Sequence, residues 1–249
     1  MCTLTWQQTL SGYRLLFTRD EQRTRELAEL PIFDEVRQAI YPIDPQGQGT
    51  WIATNQNGET WCLLNLYQKN QAAELGYSAT SARKQKLLSR GQIILACLSA
   101  QTDMSLPRLQ DYCGKYKFSP FTLCYFPKVL TPQNWQPIYW QWDGIQVTAQ
   151  QLPNMFTSSG KAFTKVLSHR QAVFSQFSRQ QSNDYLWQFH TSHQPSKSHT
   201  SVCMHRADAK SVSITEVTSS TTVQQMKYWN TSPCQAQYSK PTARLIINR

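Results

Sequence analysis

Cys2 sits directly behind Met1, and the quartet Thr18-Arg19-Asp20-Glu21 follows after one hairpin's length of chain. Methionine aminopeptidase removes an initiator Met when the next side chain is small, and cysteine qualifies. Processing would leave one residue carrying both a thiol and a free α-amine. Such an amine has a pKa of about 8 and a cysteine thiol about 8.5, so the amine can serve as the thiol's own base near neutrality. That is the chemistry of a self-activated nucleophile at an amino terminus, aimed at a carbonyl. The alternative for Cys2 is the first buried residue of an edge strand. Its neighbours decide between the two.

The elements that must position Cys2 can be read from patterning. Cys2 to Trp6 and Tyr13 to Thr18, around Thr9-Leu10-Ser11-Gly12, predict an antiparallel hairpin with Cys2, Leu4 and Trp6 on one face. Residues 22 to 47 are polar and proline-punctuated, and predict a long surface excursion. Thr50 to Thr54 and Thr60 to Leu66 flank Asn57-Gly58, a strong hairpin signal. Trp61, Leu63 and Asn65 share one face of the second arm, with Cys62, Leu64 and Leu66 on the other, so that strand should lie in a covered sheet. Residues 80 to 100 switch to helical spacing with Gly91 as a weak point, and a shorter helix follows over Leu106 to Tyr112. Strands are expected at Phe121 to Phe126 and Pro137 to Trp142, then, after the Asp143-Gly144 turn, at Ile145 to Thr148. A helix over Lys161 to Phe177 should turn Phe163, Val166, Val173 and Phe174 inward. The remainder reads as strands: Tyr185 to Phe189, Ser201 to His205, Ser211 to Val217, Thr222 to Trp229 and a tail ending Leu245-Ile246-Ile247. Ser192 to Thr200 reads as a loop. Strands at each end with helices between fit a single α+β domain over residues 1–249, two sheets packed together and flanked by helices.

Composition narrows the classes. The 249 residues, 40% of them hydrophobic, with 8 Trp, 11 Tyr and 10 Phe, are enough for a packed core. No apolar run approaches the roughly 20 residues of a membrane span. The start MCTLTWQQ lacks the basic region and apolar core of a signal peptide, so a cytoplasmic location is expected. Seven cysteines (2, 62, 97, 113, 124, 203 and 234) are scattered without a CxxC pair, which fits reduced thiols. For the same reason neither a metal nor another cofactor is expected. His190, His193, His199 and His205 crowd one stretch and read mostly as loop histidines, with metal binding the minor alternative. The net charge of +10 is spread out. Its two clusters, Arg83, Lys84, Lys86 and Arg90, then Lys161, Lys165 and Arg170, read as solvated helix faces. They suit anionic ligands or solubility better than nucleic acid.

Short blocks along nearly the whole chain resemble one family. Met1-Cys2-Thr3-Leu4 and Tyr13-Arg14-Leu15-Leu16-Phe17-Thr18-Arg19-Asp20-Glu21 are similar to the opening of the NRDE family, also called the transport and Golgi organisation protein two family. Gly49-Thr50-Trp51-Ile52-Ala53, Leu63-Leu64-Asn65-Leu66-Tyr67 and Ser89-Arg90-Gly91 resemble its next blocks. Thr157-Ser158-Ser159 and Val202-Cys203-Met204-His205-Arg206, with Asp208-Ala209 behind, resemble a bacterial branch. Thr18 stands where the name-giving Asn would, replacing an amide by a hydroxyl. Ser158 or Ser159 stands where many relatives carry Asn. That family is similar in outline to the cysteine N-terminal-nucleophile amidases, which implies a four-layer αββα sandwich. The resemblance implies that Cys2 attacks an amide or other acyl carbonyl and Arg19 holds the thiolate or a substrate oxygen. It implies further that Asp20 or Glu21 orients the new α-amine, Asn65 donates to the oxyanion, and Ser158 or Ser159 assists. Relatives' links to haem handling and lipid metabolism imply a second possibility, a non-catalytic carrier of haem or a lipid-like ligand.

Each of these residues has a simpler role beside the chemical one. Arg19 and Asp20 could form an ion pair capping their strand. Asn65 sits among apolar residues, where an amide needs partners, structural ones included. Ser158 and Ser159 precede a helix and could cap it. Trp51 and Trp61 read as core, and Arg90 as packing or capping.

Overall fold

The computed structural model describes residues 2–67, 88–99, 105–128, 136–180, 182, 184–236 and 239–248. The hairpin that carries Cys2 forms as its alternation requires. Strands β1 (Cys2–Thr9) and β2 (Gly12–Gln22) pair antiparallel with Cys2 opposite Arg19. Leu4 packs into the core between the two sheets with Cys2 and Trp6 against it, while Thr3 and Thr5 face the other way. Gly12 turns the hairpin where no side chain fits: a Cβ there would lie 2.1 Å from the Ser219 carbonyl oxygen.

That hairpin is part of a six-stranded antiparallel sheet ordered β10-β1-β2-β11-β12-β13, with β10 at Met155–Ser158, β11 at Ala209–Ser220, β12 at Val223–Trp229 and β13 at Ala243–Asn248. The second sheet has seven strands in sequence order, β3 (Glu29–Asp34), β4 (Ala39–Ile43), β5 (Ile52–Asn55), β6 (Thr60–Asn65), β7 (Phe121–Phe126), β8 (Ile138–Trp142) and β9 (Val147–Gln151). Leu15, Phe17 and Tyr13 of the first sheet meet Cys62, Leu64, Cys124 and Phe126 of the second. Trp61, Leu63 and Trp140 on the second sheet's outer face are covered by α1 (Gln92–Ser99) and α2 (Leu106–Lys115). Leu16 and Ile214, on the first sheet's outer face, lie under α4 (Tyr185–Thr191) and α5 (Pro233–Ala236), and Met155 packs with Val173 of α3 (Phe163–Arg179). Helices outside two stacked antiparallel sheets make the expected α+β sandwich.

Several expectations are corrected. Residues 22 to 47 are no mere excursion, because they hold β3 and β4. β3 is an edge strand with one buried position, Pro31, so it lacks the two-faced apolar signature of an inner strand. Tyr185 to Phe189 is helical: Leu186, Phe189 and His190 are its buried positions, spaced three and four apart. Ser201 to His205 is irregular chain, buried from Ser201 through Met204, with one isolated bridge from His205 to Lys210. Strand β9 begins at Val147, and β10 carried no signal in the sequence. Phe163 is exposed at the head of α3, while Val166 and Val173 do face inward.

Gly91 lies just ahead of α1, not within it. A Cβ on Gly49 would sit 2.4 Å from the Gly91 carbonyl carbon, so two glycines let these backbones touch, and Thr50 N–H donates to Gly91 O. The helical expectation for residues 80–87, with Arg83, Lys84 and Lys86, lies outside the described residues. No described helix is long and apolar enough to cross a membrane.

Candidate active site

Three strands meet at Cys2. It pairs with Arg19 on β2 and with Ser158 on β10, so the three side chains belong to one face of the sheet. The Cys2 backbone N–H donates to Ser158 Oγ at 3.1 Å. The thiol is pushed up by burial and by the Asp20 carboxylate. The amino-terminal charge, a hydrogen bond from the Asp20 backbone N–H, and Arg19 pull it back down. Burial outweighs these, so the thiol stays above its ordinary pKa, with the amino-terminal charge, the Asp20 N–H and Arg19 limiting the rise.

Arg19 is almost fully buried, and its guanidinium carbon lies 4.3 Å above the Trp51 ring. Trp51 is thus core, as expected, and also a platform for a cation. Glu21 Oε2 accepts from Arg19 Nη2 at 3.1 Å and lies 3.5 Å from Arg25 Nε. Asp44 completes the group, 2.6 Å from Arg25 and 4.0 Å from Arg19. Two arginines and two carboxylates hold one another in a fixed arrangement beside β1.

The two carboxylates of the quartet separate by strand alternation. Glu21 shares the face of Arg19 and grips it. Asp20 points to the helix-covered side, where Ser211 Oγ donates to its Oδ1 at 2.6 Å and Arg170 Nη2 lies 3.9 Å from its Oδ2. Burial raises the Asp20 pKa against the pull of Arg170, the amino-terminal charge and Ser211.

Asn65 ends β6, and its Nδ2 donates to the Tyr67 hydroxyl at 3.0 Å. Asn65, Ser158 and Ser159 line one cleft of about 40 Å³ together with Thr122, Gln141 and Phe156. Neither Cys2 nor Arg19 lines it, so Asn65 relates to Cys2 through Ser158 across the shared cleft. Ser159 is engaged in a turn: its Oγ donates to Lys161 O at 2.6 Å and accepts from Lys161 N–H. Neither serine caps α3, whose N-cap position is Ala162.

Sequence reasoning missed the support beneath this site. Arg170 is the largest fully buried side chain among the described residues and no part of a solvated face. Its Nη1 donates to Thr157 Oγ1 at 2.8 Å and to Thr3 Oγ1, and Nη2 donates to Ser201 O at 2.8 Å. It thereby clamps β1 to β10 at the Thr3–Thr157 pair, one position from Cys2. His190 is buried too, and not a loop histidine: its Nδ1 lies 2.7 Å from Thr18 Oγ1 and its Nε2 2.8 Å from Thr5 Oγ1. Thr18 spends its hydroxyl on that imidazole. Arg90, in the turn before α1, donates from Nη1 to Pro120 O and interacts with Tyr67, Cys2 and Glu21. The helical spacing of Arg170 with the buried Val166 and Val173 was the one available sign that it faces inward.

A family model described as Transport and Golgi organisation 2 matches residues 1–235. Among solved structures, the Caenorhabditis elegans N-acylethanolamine-hydrolyzing acid amidase (NAAA) ortholog is similar over 99% of this chain and 100% of its own, with a TM-score of 0.56 at 10% identity. Penicillin V acylase from Agrobacterium tumefaciens is similar over 100% of this chain and 86% of its own, with a TM-score of 0.49 at 8% identity. No curated protein matches in sequence. At 10% identity the first likeness is one of fold, the layered α+β sandwich.

Proposed function

The chain belongs to the Transport and Golgi organisation 2 family, and we propose that it hydrolyses an amide or related acyl bond, with Cys2 as nucleophile once Met1 is removed. The observation that carries this proposal is the junction at Cys2, with Arg19 paired on one side and Ser158 accepting from its backbone nitrogen on the other. The amidase named among the structures of similar fold supports the same class of reaction.

The free Cys2 amine takes the thiol proton, and the thiolate attacks the substrate carbonyl carbon, forming a C–S bond. Negative charge moves to the carbonyl oxygen, where Asn65 Nδ2 and the Arg19 guanidinium are the candidate donors. One such donor is worth about 3 kcal/mol in a dry site. The ammonium returns its proton to the leaving nitrogen or oxygen as that bond breaks, leaving a thioester on Cys2. Water, deprotonated by the same amine, then cleaves the thioester and frees the acid. In this scheme Ser158 aims the amine, Asp20 stabilises its charged form from below, and Glu21 fixes Arg19. Ser159 shapes the cleft by holding the turn to α3.

Intact mass of the protein from its own host, followed by iodoacetamide labelling, tests the proposal. Expected are a chain lacking Met1 and a Cys2 that alkylates faster than the other six thiols. A panel of chromogenic amides and esters should then give turnover that Cys2→Ala abolishes. Retained Met1 would end the proposal, because the base would be locked in a peptide bond. Uniform thiol reactivity with no turnover, alongside saturable haem binding by absorbance, would establish the carrier alternative instead.

A further inference from the structure

Four side chains outside the Cys2 site bring metal-ligating atoms together. His193, Cys203, His205 and Cys234 place one such atom each, all within 4.8 Å of one another. They come from three segments: the chain just after α4, the irregular stretch before β11, and α5. His205 Nε2 is 3.5 Å from Cys203 Sγ and 3.7 Å from Cys234 Sγ. Around a tetrahedral zinc ion with bonds of about 2.0–2.3 Å, neighbouring ligand atoms stand roughly 3.3–3.8 Å apart. The His193 and His205 rings lie with centroids 5.0 Å apart. His193 Nε2 is buried with no hydrogen-bond partner among the described residues. A buried ring nitrogen left unpaired costs stability unless something bonds to it, and a metal ion does.

We propose that His193, Cys203, His205 and Cys234 form a tetrahedral Zn²⁺ site that fastens the chain from 192 to 208 onto β11 and α5. Two thiolates and two imidazoles are a donor set suited to zinc, and four protein ligands leave no open position, which marks a structural centre. Loading forms two Zn–S and two Zn–N bonds and releases the two thiol protons to solvent. The result is an electrically neutral centre. That neutrality suits surroundings where Lys197, Arg23 and Lys210 already place positive charge near His205. Backbone and side-chain hydrogen bonds brace the segments that carry these ligands. Cys203 N–H donates to Ser192 O at 3.0 Å, and Ser232 Oγ, beside α5, donates to Ser211 O at 2.6 Å. The spacing in sequence hid the set, since 41 positions separate His193 from Cys234 and no CxxC or HxxxH pair announces it.

The test uses the full chain, reduced and stripped by a chelator, then titrated with Zn²⁺ against a chromophoric competitor and separately with Co²⁺. Expected are one Zn²⁺ per chain, two protons released per ion, and the cobalt absorption of a tetrahedral thiolate site. Cys234→Ser should weaken Zn²⁺ binding beyond the roughly 10–100-fold typical of losing a hydrogen bond behind a ligand, whereas Cys113→Ser, whose buried thiol lies elsewhere, should leave it unchanged. Absence of the cobalt band in the folded wild type overturns the proposal, as does unchanged affinity in Cys234→Ser. A Cys203–Cys234 disulfide in protein from the native host would also overturn it. If Cys234→Ser fails to fold, the wild-type cobalt spectrum and proton count decide alone.

Discussion

His190 should make the protein acid-sensitive by an amount that can be worked out. Burial, aided by the charges of Arg170 and Arg14, lowers its pKa from 6.5 to about 3. The imidazole is thus neutral in the folded state, one ring nitrogen donating and the other accepting between the hydroxyls of Thr18 and Thr5. In the unfolded chain it takes a proton near pH 6.5. Between pH 6.5 and about 3 the unfolded state therefore binds more protons, and stability falls as pH falls. At about 1.4 kcal/mol per pH unit, acidification from about pH 7.5 to about pH 5 costs about 2 kcal/mol through this residue alone.

Replacing His190 by Gln keeps polar atoms within reach of both threonines and removes the titration. Urea unfolding of wild type and His190→Gln at about pH 7.5 and about pH 5 isolates the effect, because the other titrating groups are common to both chains. Asp20 is one of these, and it works in the opposite sense. Its folded pKa is raised, so its contribution is greatest at low pH and is lost as pH rises through the folded value. Relative to wild type, the variant should gain about 2 kcal/mol on going to about pH 5, or about 0.7–1 M in urea midpoint at a slope of about 2–3 kcal/mol per M. A difference between the chains that stays constant within about 0.5 kcal/mol across that range would refute a buried neutral imidazole.

Arg170→Met should lower stability by about 3–5 kcal/mol at neutral pH, because it leaves Asp20 and the Thr200 and Ser201 carbonyls without their cation. The loss should shrink as pH falls and Asp20 takes a proton in both states, which urea midpoints across pH would show. Ser158→Ala removes the acceptor at the Cys2 nitrogen and should cut kcat/KM on a responsive amide by about 10–100-fold, the worth of one hydrogen bond to a charged group, with the circular dichroism spectrum unchanged. Gly12→Ala drives a Cβ toward the Ser219 carbonyl and should cost about 1–3 kcal/mol in thermal or urea unfolding.

Hairpins with a turn signal were legible, the one that carries Cys2 among them, because alternation and turn position fix local register, whereas the pairing of Cys2 with Arg19 came from the structure. Strand β10 was not. Met155–Ser158 is four residues long and its partner is β1, roughly 150 positions away, so no local pattern could reveal it. Ser158 was reachable through family resemblance alone. Arg170 was misread because a long charged side chain on an amphipathic helix is usually solvated, and its burial depends on threonines from two distant strands. Aromatic residues in Tyr185–Phe189 mimicked a strand, and only packing against Leu16 and Ile214 selects the helix. Cys203 and Cys234 escaped notice as partners of His193 and His205 for the same reason as β10: their proximity is purely tertiary.

The alternation of β1 and β2 does more than bury a core. Each strand delivers its odd- and even-numbered side chains to different layers, so Cys2 with Arg19 faces the other sheet while Thr3, Thr5, Thr18 and Asp20 face the helices. On the helix side these four residues share two fully buried basic partners, Arg170 for Thr3 and Asp20, and His190 for Thr5 and Thr18. A perturbation on that hidden layer reaches Cys2 by two routes. One is the β1–β10 clamp through Thr3 and Thr157, and the other is the Asp20 backbone N–H that donates to the thiol. Conservative changes at Arg170 and His190 should therefore shift the pH profile of Cys2 alkylation even though neither residue touches it. Altered stability with that profile left where it was would refute both routes.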